Sequence, residues 1–137
     1  MFNVVDVGFN SIFLRANKDL LELLKIFNLE HKNLQKFILK SENQIEKLYN
    51  EKKEVFTNYD IKNKKKIIVP SITNYFILFA DLKNQSINKK IIKNLKNHNQ
   101  NEKYLFSSIK PNYGKFEEKR YWRGPVWINC NWIIYQG

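Results

Sequence analysis

The sequence has few of the residues that cross-link a chain or hold a metal. Its 137 residues include one cysteine and two histidines. Because one thiol cannot form a disulfide within the chain, Cys130, which lies in an apolar stretch, is predicted to be buried and inert. His31 and His98 lie far apart without ligand-like neighbours. We therefore predict two solvated histidines, no metal site and no cofactor.

Long apolar runs and a secretory leader are also missing. No run of eighteen apolar residues occurs, so no membrane-spanning helix is expected. Met1 is followed by Phe2-Asn3-Val4 rather than by a basic segment, so no secretory signal is expected either. We therefore predict a cytoplasmic protein. Its length is typical of one domain, and its 43% hydrophobic content suffices for a packed core.

Arginine is scarce although the chain is strongly basic. The net charge is +11, yet the 24 basic residues include only Arg15, Arg120 and Arg123 as arginines. Nucleic-acid sites favour arginines clustered with aromatic residues. The densest basic run, Lys62 and 64–66, is typical of a solvated turn. We therefore do not expect nucleic acid as the partner, although a basic helical interaction or nucleic-acid-binding module is the alternative function.

Hydrophobic periodicity predicts helices in the first half of the chain. A first helix is predicted from Gly8 to about Phe27, with Asp6 or Asn10 as its cap. Asp6 could instead project into the space that the helix faces, but a simple cap is the favoured interpretation. A second, amphipathic helix is predicted from Glu30 to about Lys53. A short extended segment or hairpin is predicted near residues 54–68.

The second half is predicted to continue with helices. Pro70-Ser71 is predicted to open a third helix, and the apolar spacing of residues 87–97 predicts a fourth. Residues 98–103 and 106–119 are predicted to be loops. Pro125 is predicted to start a last helix. Because that helix, through Tyr135, is apolar on nearly every face, we predict that it is buried, Trp132 included.

The segment before this last helix carries the residues most suggestive of a ligand site. Tyr121 and Trp122 place two flat rings beside Arg123, and sugars bind to aromatic faces in mostly apolar pockets with a few polar groups. Core packing is the competing interpretation, and on residue chemistry alone it is favoured.

Three stretches of the chain resemble glycoside hydrolase family 63 and its relatives. The longest is Tyr121–Asn129 with Asn131-Trp132, read YWRGPVWIN followed by NW. The second runs from Val5 to Leu20, and the weakest from Val69 to Ala80. Their order is that of the family, and they cover nearly the whole chain. The mannosylglycerate hydrolase-like and bacterial α-glucosidase branches are the most similar.

The resemblance implies an all-α fold in which antiparallel helix pairs form an arc of an (α/α)6 toroid. Residues 1–137 would be one partial domain, incomplete at both ends: a truncated gene, half of a split gene, or a chain completed by a partner. The first and last helices would be inner ones. The site residues that it implies fall into two groups. Tyr121, Trp122 and Trp127 would bind the sugar, and the supporting residues would be Arg123, Gly124, Asn129, Asn131 and Asp6.

The resemblance also implies an activity that this chain cannot perform by itself. Inverting hydrolysis of an α-glycoside needs a general acid and a general base roughly 6.5–9.5 Å apart. In the family these carboxylates lie upstream of the region matching Val5–Asn10 and downstream of the region matching Asn131–Gly137. Glu117 and Glu118 match neither, and we expect them to neutralise nearby cations. We therefore predict part of an α-glucosidase or of a mannosylglycerate or glucosylglycerate hydrolase, with carbohydrate as the ligand and no catalytic residue of its own.

Overall fold

The computed structural model describes residues 3–98 and 105–137. Within these residues the chain forms four α-helices, one 3-10 helix and five short strands. The helices are α1 Val7–Ile26, α2 Lys32–Glu46, α3 Gln85–His98 and α4 Ile128–Tyr135, with the 3-10 helix at Ile72–Tyr75. The strands are β1 Val4–Val5, β2 Tyr49–Asn50, β3 Val55–Phe56, β4 Asn58–Asp60 and β5 Lys65–Ile67.

Helix α1 starts where a local capping rule places it. The Asp6 carboxylate accepts a hydrogen bond from the Phe9 backbone N–H at 2.7 Å, which satisfies one of the donors that a helix start leaves free. The capping interpretation of Asp6 is thus confirmed. After the helix, Asn28 adopts a φ of 54°, a left-handed conformation that asparagine tolerates, and the chain turns back into α2.

Helix α2 is shorter than the periodicity predicted. It ends at Glu46 rather than near Lys53, and β2 and β3 follow as an antiparallel pair in which Tyr49 faces Phe56. These two rings are buried, with their centroids 5.3 Å apart. The Asn50 side chain accepts from the Lys53 N–H at 3.1 Å, a turn-forming bond that competes with helix.

A second small sheet, in the order β1-β4-β5, brings the start of the chain beside the basic turn. Val4 pairs with Asp60, which pairs with Lys65 across the β4–β5 hairpin. The Asp60 carboxylate accepts from the Asn63 N–H at 2.9 Å and from its side-chain amide at 2.6 Å. The exposed lysines at 62 and 64 lie in this turn, as predicted, whereas Lys65 and the half-buried Lys66 belong to β5 rather than to a solvated turn. The predicted all-α fold with a hairpin near residues 54–68 is confirmed in part, because the helices are joined by two small antiparallel sheets instead of one hairpin.

The third predicted helix is only a 3-10 helix followed by turns. Its backbone N–H groups donate to the carbonyl three residues earlier. The first of these hydrogen bonds runs from the Asn74 N–H to the Ser71 carbonyl, and the last from the Asp81 N–H to the Leu78 carbonyl. The segment is nevertheless the centre of the core, because nearly every residue from Ile72 to Leu82 is buried. Packing on all sides has overridden the helical pattern here.

The last helix begins later than predicted and is not buried. Residues 107 and 126 pair in an antiparallel bridge, which holds Pro125 and Val126 outside the helix, so that α4 starts at Ile128. Cys130 and Ile134 face the core, as predicted for the thiol. Trp132, however, is 58% exposed, and Ile128 and Tyr135 are exposed with it. The uniformly apolar helix has thus only one of its faces covered.

His98, predicted to be solvated, is 2% exposed. Its ring packs edge-on against Tyr75 at 5.4 Å and against Phe106 at 6.4 Å between centroids. Burial lowers the pKa of His98 to about 4, because a charged imidazolium would lose its hydration there. The predicted loop at residues 98–103 lies, apart from His98, outside the described residues.

No helix in residues 3–98 or 105–137 combines the length and apolar character that crossing a membrane requires.

Candidate functional site

Residues 117–123 form a loop that is closed by its own backbone. The Glu117 N–H donates to the Arg123 carbonyl at 2.8 Å, and the Arg123 N–H donates to the Arg120 carbonyl at 2.9 Å. The Arg120 N–H in turn donates to the Glu117 carbonyl at 2.9 Å. The two ends of the loop are therefore tied together before any contact with the rest of the molecule is considered.

Charged side chains reinforce the closure. Arg123 Nη1 lies 2.7 Å from Glu117 Oε1, and Arg120 Nη1 lies 3.3 Å from Glu117 Oε2. The Arg123 side chain, followed by Arg120, lowers the pKa of Glu117. Glu117 thus neutralises Arg120, as expected, and Arg123 in addition, whereas none of these ion pairs involves Glu118. Because these groups are exposed, the ion pairs orient the loop more than they stabilise it.

Gly124 joins this loop to the rest of the protein, and its backbone packs directly against the backbone of Glu117 and Glu118. A Cβ added at Gly124 would overlap the Glu117 carbonyl oxygen and lie 2.6 Å from Glu118 Cα. Only glycine allows this approach of two backbone segments. Gly124 is buried, and its N–H donates to the Ser108 hydroxyl at 3.0 Å.

Three aromatic rings cluster on the loop and on the residue before α4. The centroids of Tyr121 and Trp127 are 4.9 Å apart, those of Trp122 and Trp127 5.6 Å, and those of Tyr121 and Trp122 5.8 Å. Tyr121 meets both indoles edge-on, while the two indoles are inclined by only 34°. We call Tyr121, Trp122 and Trp127 the aromatic cluster.

The aromatic cluster is open to solvent. Tyr121 is 67% exposed and Trp122 is 41% exposed, while Trp127 is half-buried. Tyr121 and Trp122 are therefore not core residues of this chain. Trp122 also has a φ of 53°, an unusual conformation for a bulky residue that persists where surrounding contacts enforce it. The structure thus brings together the three residues that sequence analysis selected for sugar binding.

Asn131 ties the base of the cluster to the preceding loop. Its side-chain amide donates to the Trp127 and Phe106 carbonyls, each at 2.9 Å, and its oxygen accepts from the Phe106 N–H at 2.7 Å. This buried side chain therefore has partners for both of its polar atoms. Asn129, by contrast, is exposed on the first turn of α4.

Asp6 belongs to a different hydrogen-bonded group. One carboxylate oxygen caps α1, and the other accepts from the Asn58 side-chain amide at 3.1 Å. The Asn58 side-chain oxygen accepts in turn from the Val7 N–H at 2.8 Å. Asp6 is therefore placed by the small sheet as well as by the helix, and both of its oxygens are engaged.

Ser108 is a residue that sequence analysis missed. It lies in a segment that shows no periodicity and no motif, and its neighbour Ser107 is also a serine. Only its position against Gly124 in the folded chain distinguishes it.

A cavity of about 840 Å³ that none of these residues lines lies between α1, α2 and residues 81–85. Its charged residues largely neutralise one another, as in the pairs Arg15–Asp19 at 2.8 Å and Lys18–Glu42 at 2.7 Å. In the described part of the chain, no group of three or more His, Cys, Asp or Glu residues is arranged to hold a metal.

Comparison with known proteins gives a consistent family. Residues 1–137 match the model of the mannosylglycerate hydrolase MGH1-like glycoside hydrolase domain. A mannosylglycerate hydrolase from Thermus thermophilus is 33% identical over 136 residues, which cover 99% of this chain and 33% of that protein. One from Rubrobacter radiotolerans is 26% identical over 141 residues, which cover 99% of this chain and 32% of that protein.

Solved structures support the same grouping. The GH63 mannosylglycerate hydrolase from Thermus thermophilus in complex with glucose matches with a TM-score of 0.90 and 33% identity, over 96% of this chain and 33% of that one. Neutral trehalase from Saccharomyces cerevisiae matches with a TM-score of 0.81 at 15% identity, over 97% of this chain and 27% of that one, a likeness of fold alone. The chain spans about a third of the length of the curated relatives it matches.

Proposed function

This chain belongs to the mannosylglycerate hydrolase MGH1-like glycoside hydrolase family, and we propose that it supplies part of the sugar-binding wall of an inverting α-glycoside hydrolase. The observation that carries the proposal is the aromatic cluster, in which two exposed rings lie on a loop closed by its own hydrogen bonds and contact the half-buried Trp127. A rigid, open aromatic surface is what a sugar ring needs for its C–H faces.

The shape of the cluster supports a platform rather than a flat patch. Trp122 and Trp127 are inclined to each other by 34°, and Tyr121 stands nearly perpendicular to both. A sugar ring could lie on one indole while the edge of Tyr121 limits its sideways movement. Arg123 is engaged by Glu117 at 2.7 Å, which supports a role in holding the loop rather than in touching the sugar.

Two classes of sugar ligand are consistent with the relatives. The Thermus thermophilus and Rubrobacter radiotolerans relatives are mannosylglycerate hydrolases, and the Thermus thermophilus enzyme has been crystallised with glucose and with D-glycerate. We propose an α-glucoside, or a mannosylglycerate or glucosylglycerate, as the substrate class. The aromatic cluster would hold the glycone by contact with the C–H groups of its ring.

The catalytic carboxylates would come from other segments. We propose that the general acid and the general base lie outside the regions matched by residues 1–137, as the family resemblance implies, and that residues 1–137 are one part of an (α/α)6 toroid. The exposed apolar faces support this part of the proposal. On α1 and α4 they comprise Phe9, Ile12, Phe13, Leu20, Leu23, Ile26, Ile128, Trp132 and Tyr135. The rest of the toroid, in the same or another chain, would cover them.

A chimera tests the sugar-binding role. Residues 1–137 would replace the matching third of the Thermus thermophilus relative, and kcat/KM would be measured on mannosylglycerate. Trp122→Ala should lower kcat/KM, with a loss of transition-state stabilisation of roughly 2–4 kcal/mol, while the melting temperature stays unchanged. The reason is that positioning errors of about 1 Å can cost about 100-fold in rate.

Trp132→Ala is the matched control, since Trp132 lies outside the aromatic cluster on the exposed face of α4. We expect it to alter the melting temperature of the chimera, where neighbouring helices cover it, more than turnover per folded molecule. Normal kcat/KM for Trp122→Ala, or equal loss of stability in the two variants, would show that Trp122 is a packing residue and overturn the proposal.

A further inference from the structure

Ser108 occupies a junction between the core and the loop that carries the aromatic cluster. It is fully buried, and all of its polar groups are engaged. Its N–H donates to the Pro125 carbonyl, its carbonyl accepts from the Ile72 N–H, and its hydroxyl accepts from the Gly124 N–H, each at 3.0 Å. One residue thus connects the central 3-10 helix with two consecutive residues of the loop–helix junction.

The place of these two residues in the sequence matters. Gly124 and Pro125 lie between Trp122 and Trp127, whose ring centroids are 5.6 Å apart. The bonds from Ser108 therefore fix the backbone midway between the two indoles. On the loop side, Gly124 directly follows Arg123, whose carbonyl closes the loop by accepting from Glu117. A shift at Gly124 would therefore move the loop, and Trp122 with it, relative to Trp127.

The neighbours of Ser108 keep it from following such a shift. The residues at 107 and 126 form an antiparallel bridge, as do those at 71 and 109. Phe106 is held through its N–H and carbonyl by Asn131. The backbone at Ser108 is thus held on both sides, and the hydrogen bond from the Gly124 N–H to the Ser108 hydroxyl restrains the loop.

We infer that Ser108 is a positioning residue, whose hydroxyl sets the spacing of Trp122 and Trp127 so that the aromatic cluster can receive a sugar ring. The role in sugar binding rests on the proposed function, whereas the role in spacing the rings does not. A serine used only to fill space would not need its hydroxyl directed at a buried backbone donor.

The isosteric pair Ser108→Thr and Ser108→Val separates the effect of the hydroxyl from the effect of side-chain volume. Both substitutions enlarge the side chain by one heavy atom, but only threonine keeps the hydroxyl as an acceptor. Ser108→Ala adds no atom and serves if the larger residues prevent folding. Ser11→Ala is the matched control, since Ser11 is equally buried and its hydroxyl donates to the Val7 carbonyl within α1 at 2.7 Å. All variants would be made in the full 137-residue chain carrying Trp132→Phe, so that the remaining indole signal comes from Trp122 and Trp127.

Two measurements report on the loop without any ligand. In Ser108→Val and Ser108→Ala, hydrogen exchange at the Gly124 amide should speed up about tenfold or more, because a buried donor loses its acceptor. The circular-dichroism signal from coupling of Trp122 and Trp127 should weaken in the same variants. Ser108→Thr should retain both properties better than Ser108→Val, and Ser11→Ala should leave both unchanged.

The inference is overturned if Ser108→Thr and Ser108→Val behave alike, or if Ser108→Ala leaves Gly124 exchange and the coupled signal at their original values. Titration with mannosylglycerate or glucose then tests the proposed function separately. If the spectroscopic results are as expected but neither the parent chain nor the chimera binds sugar, Ser108 still positions the rings and the sugar-binding proposal fails.

Discussion

Replacing Gly124 with alanine should destabilise the protein more than any other single-methyl addition at a glycine within the loop region. The added Cβ would overlap the Glu117 carbonyl oxygen and lie 2.6 Å from Glu118 Cα and 2.7 Å from the Glu117 carbonyl carbon. These are backbone atoms, so no side chain can rotate away. The loop must move as a body, and the bond from Gly124 to Ser108 must lengthen or break.

The expected magnitude follows from these two effects. Overpacking costs about 1–3 kcal/mol, and loss of a buried hydrogen bond adds about 1 kcal/mol. We therefore expect Gly124→Ala to lower the free energy of unfolding by about 2–4 kcal/mol. For a chain of this length that corresponds to a fall in melting temperature on the order of 10 °C. Because the loop is displaced, acrylamide quenching of the tryptophan fluorescence should change as well.

Gly114→Ala is the matched control in the same region. A Cβ at Gly114 would meet nothing within 4 Å, and its φ is not positive. The substitution should therefore be neutral, or stabilising by about 0.4–1 kcal/mol through the unfolded state. Thermal unfolding followed by circular dichroism compares the two variants. If the free energies of unfolding of the two variants lie within about 1 kcal/mol of each other, the close approach at Gly124 does not exist in solution and the argument for a rigid loop is refuted.

Three further outcomes are expected. The 137-residue chain alone should release no sugar from an aryl α-glycoside or from mannosylglycerate above a blank, since loss of acid or base assistance costs about 10²–10⁴-fold each; measurable turnover would contradict this. The isolated chain should bind a hydrophobic dye and scatter light, because apolar side chains such as Trp132 and Tyr135 are exposed and such patches promote association; a monodisperse monomer without dye binding would show a self-sufficient domain. Burial lowers the pKa of His98 to about 4, below its ordinary value of 6.5, so the unfolded state takes up the proton first as the pH falls. The free energy of unfolding should therefore decrease as the pH drops from about 6.5 to 4, by at most about 1.4 kcal/mol per pH unit. Urea unfolding should show this slope reduced in His98→Gln and retained in His31→Gln; equal slopes would contradict the burial of His98.

Features that depend on near neighbours in the chain were predictable from the sequence. The apolar spacing of residues 8–27 predicted α1 to within one residue at each end, because an amphipathic stripe has the period of the helix itself. Asp6 was one of two candidate caps, with Asn10, by the same local logic, and the structure selects Asp6. The hairpin around residues 54–68 was also placed correctly, although the lysine-rich turn ends at Lys64, since Lys65 and Lys66 form part of β5.

Features that depend on distant contacts were missed or misplaced. The predicted second helix included residues that instead form β2 and the turn after it, because pairing with β3, burial of the Tyr49 and Phe56 rings and the turn at Asn50 outweigh a continued helical stripe. The buried helix predicted from Pro125 starts at Ile128, because the 107–126 bridge holds the preceding residues extended. His98 was expected in solvent, yet Tyr75 and Phe106 surround it.

The same division runs through the candidate site. The run Tyr121–Asn129 by itself indicated the family and the three rings of the aromatic cluster, because these residues are neighbours in the chain. Their exposure, the left-handed conformation of Trp122 and the need for glycine at 124 were decided only by the tertiary structure. Ser108 gave no signal in the sequence, since a hydroxyl sixteen positions from its donor acquires a role only when folding brings the two together at 3.0 Å. Local pattern determined α1 and the run of aromatic residues, whereas the end of α2, the 3-10 helix and the partner of each polar group depend on how the elements pack.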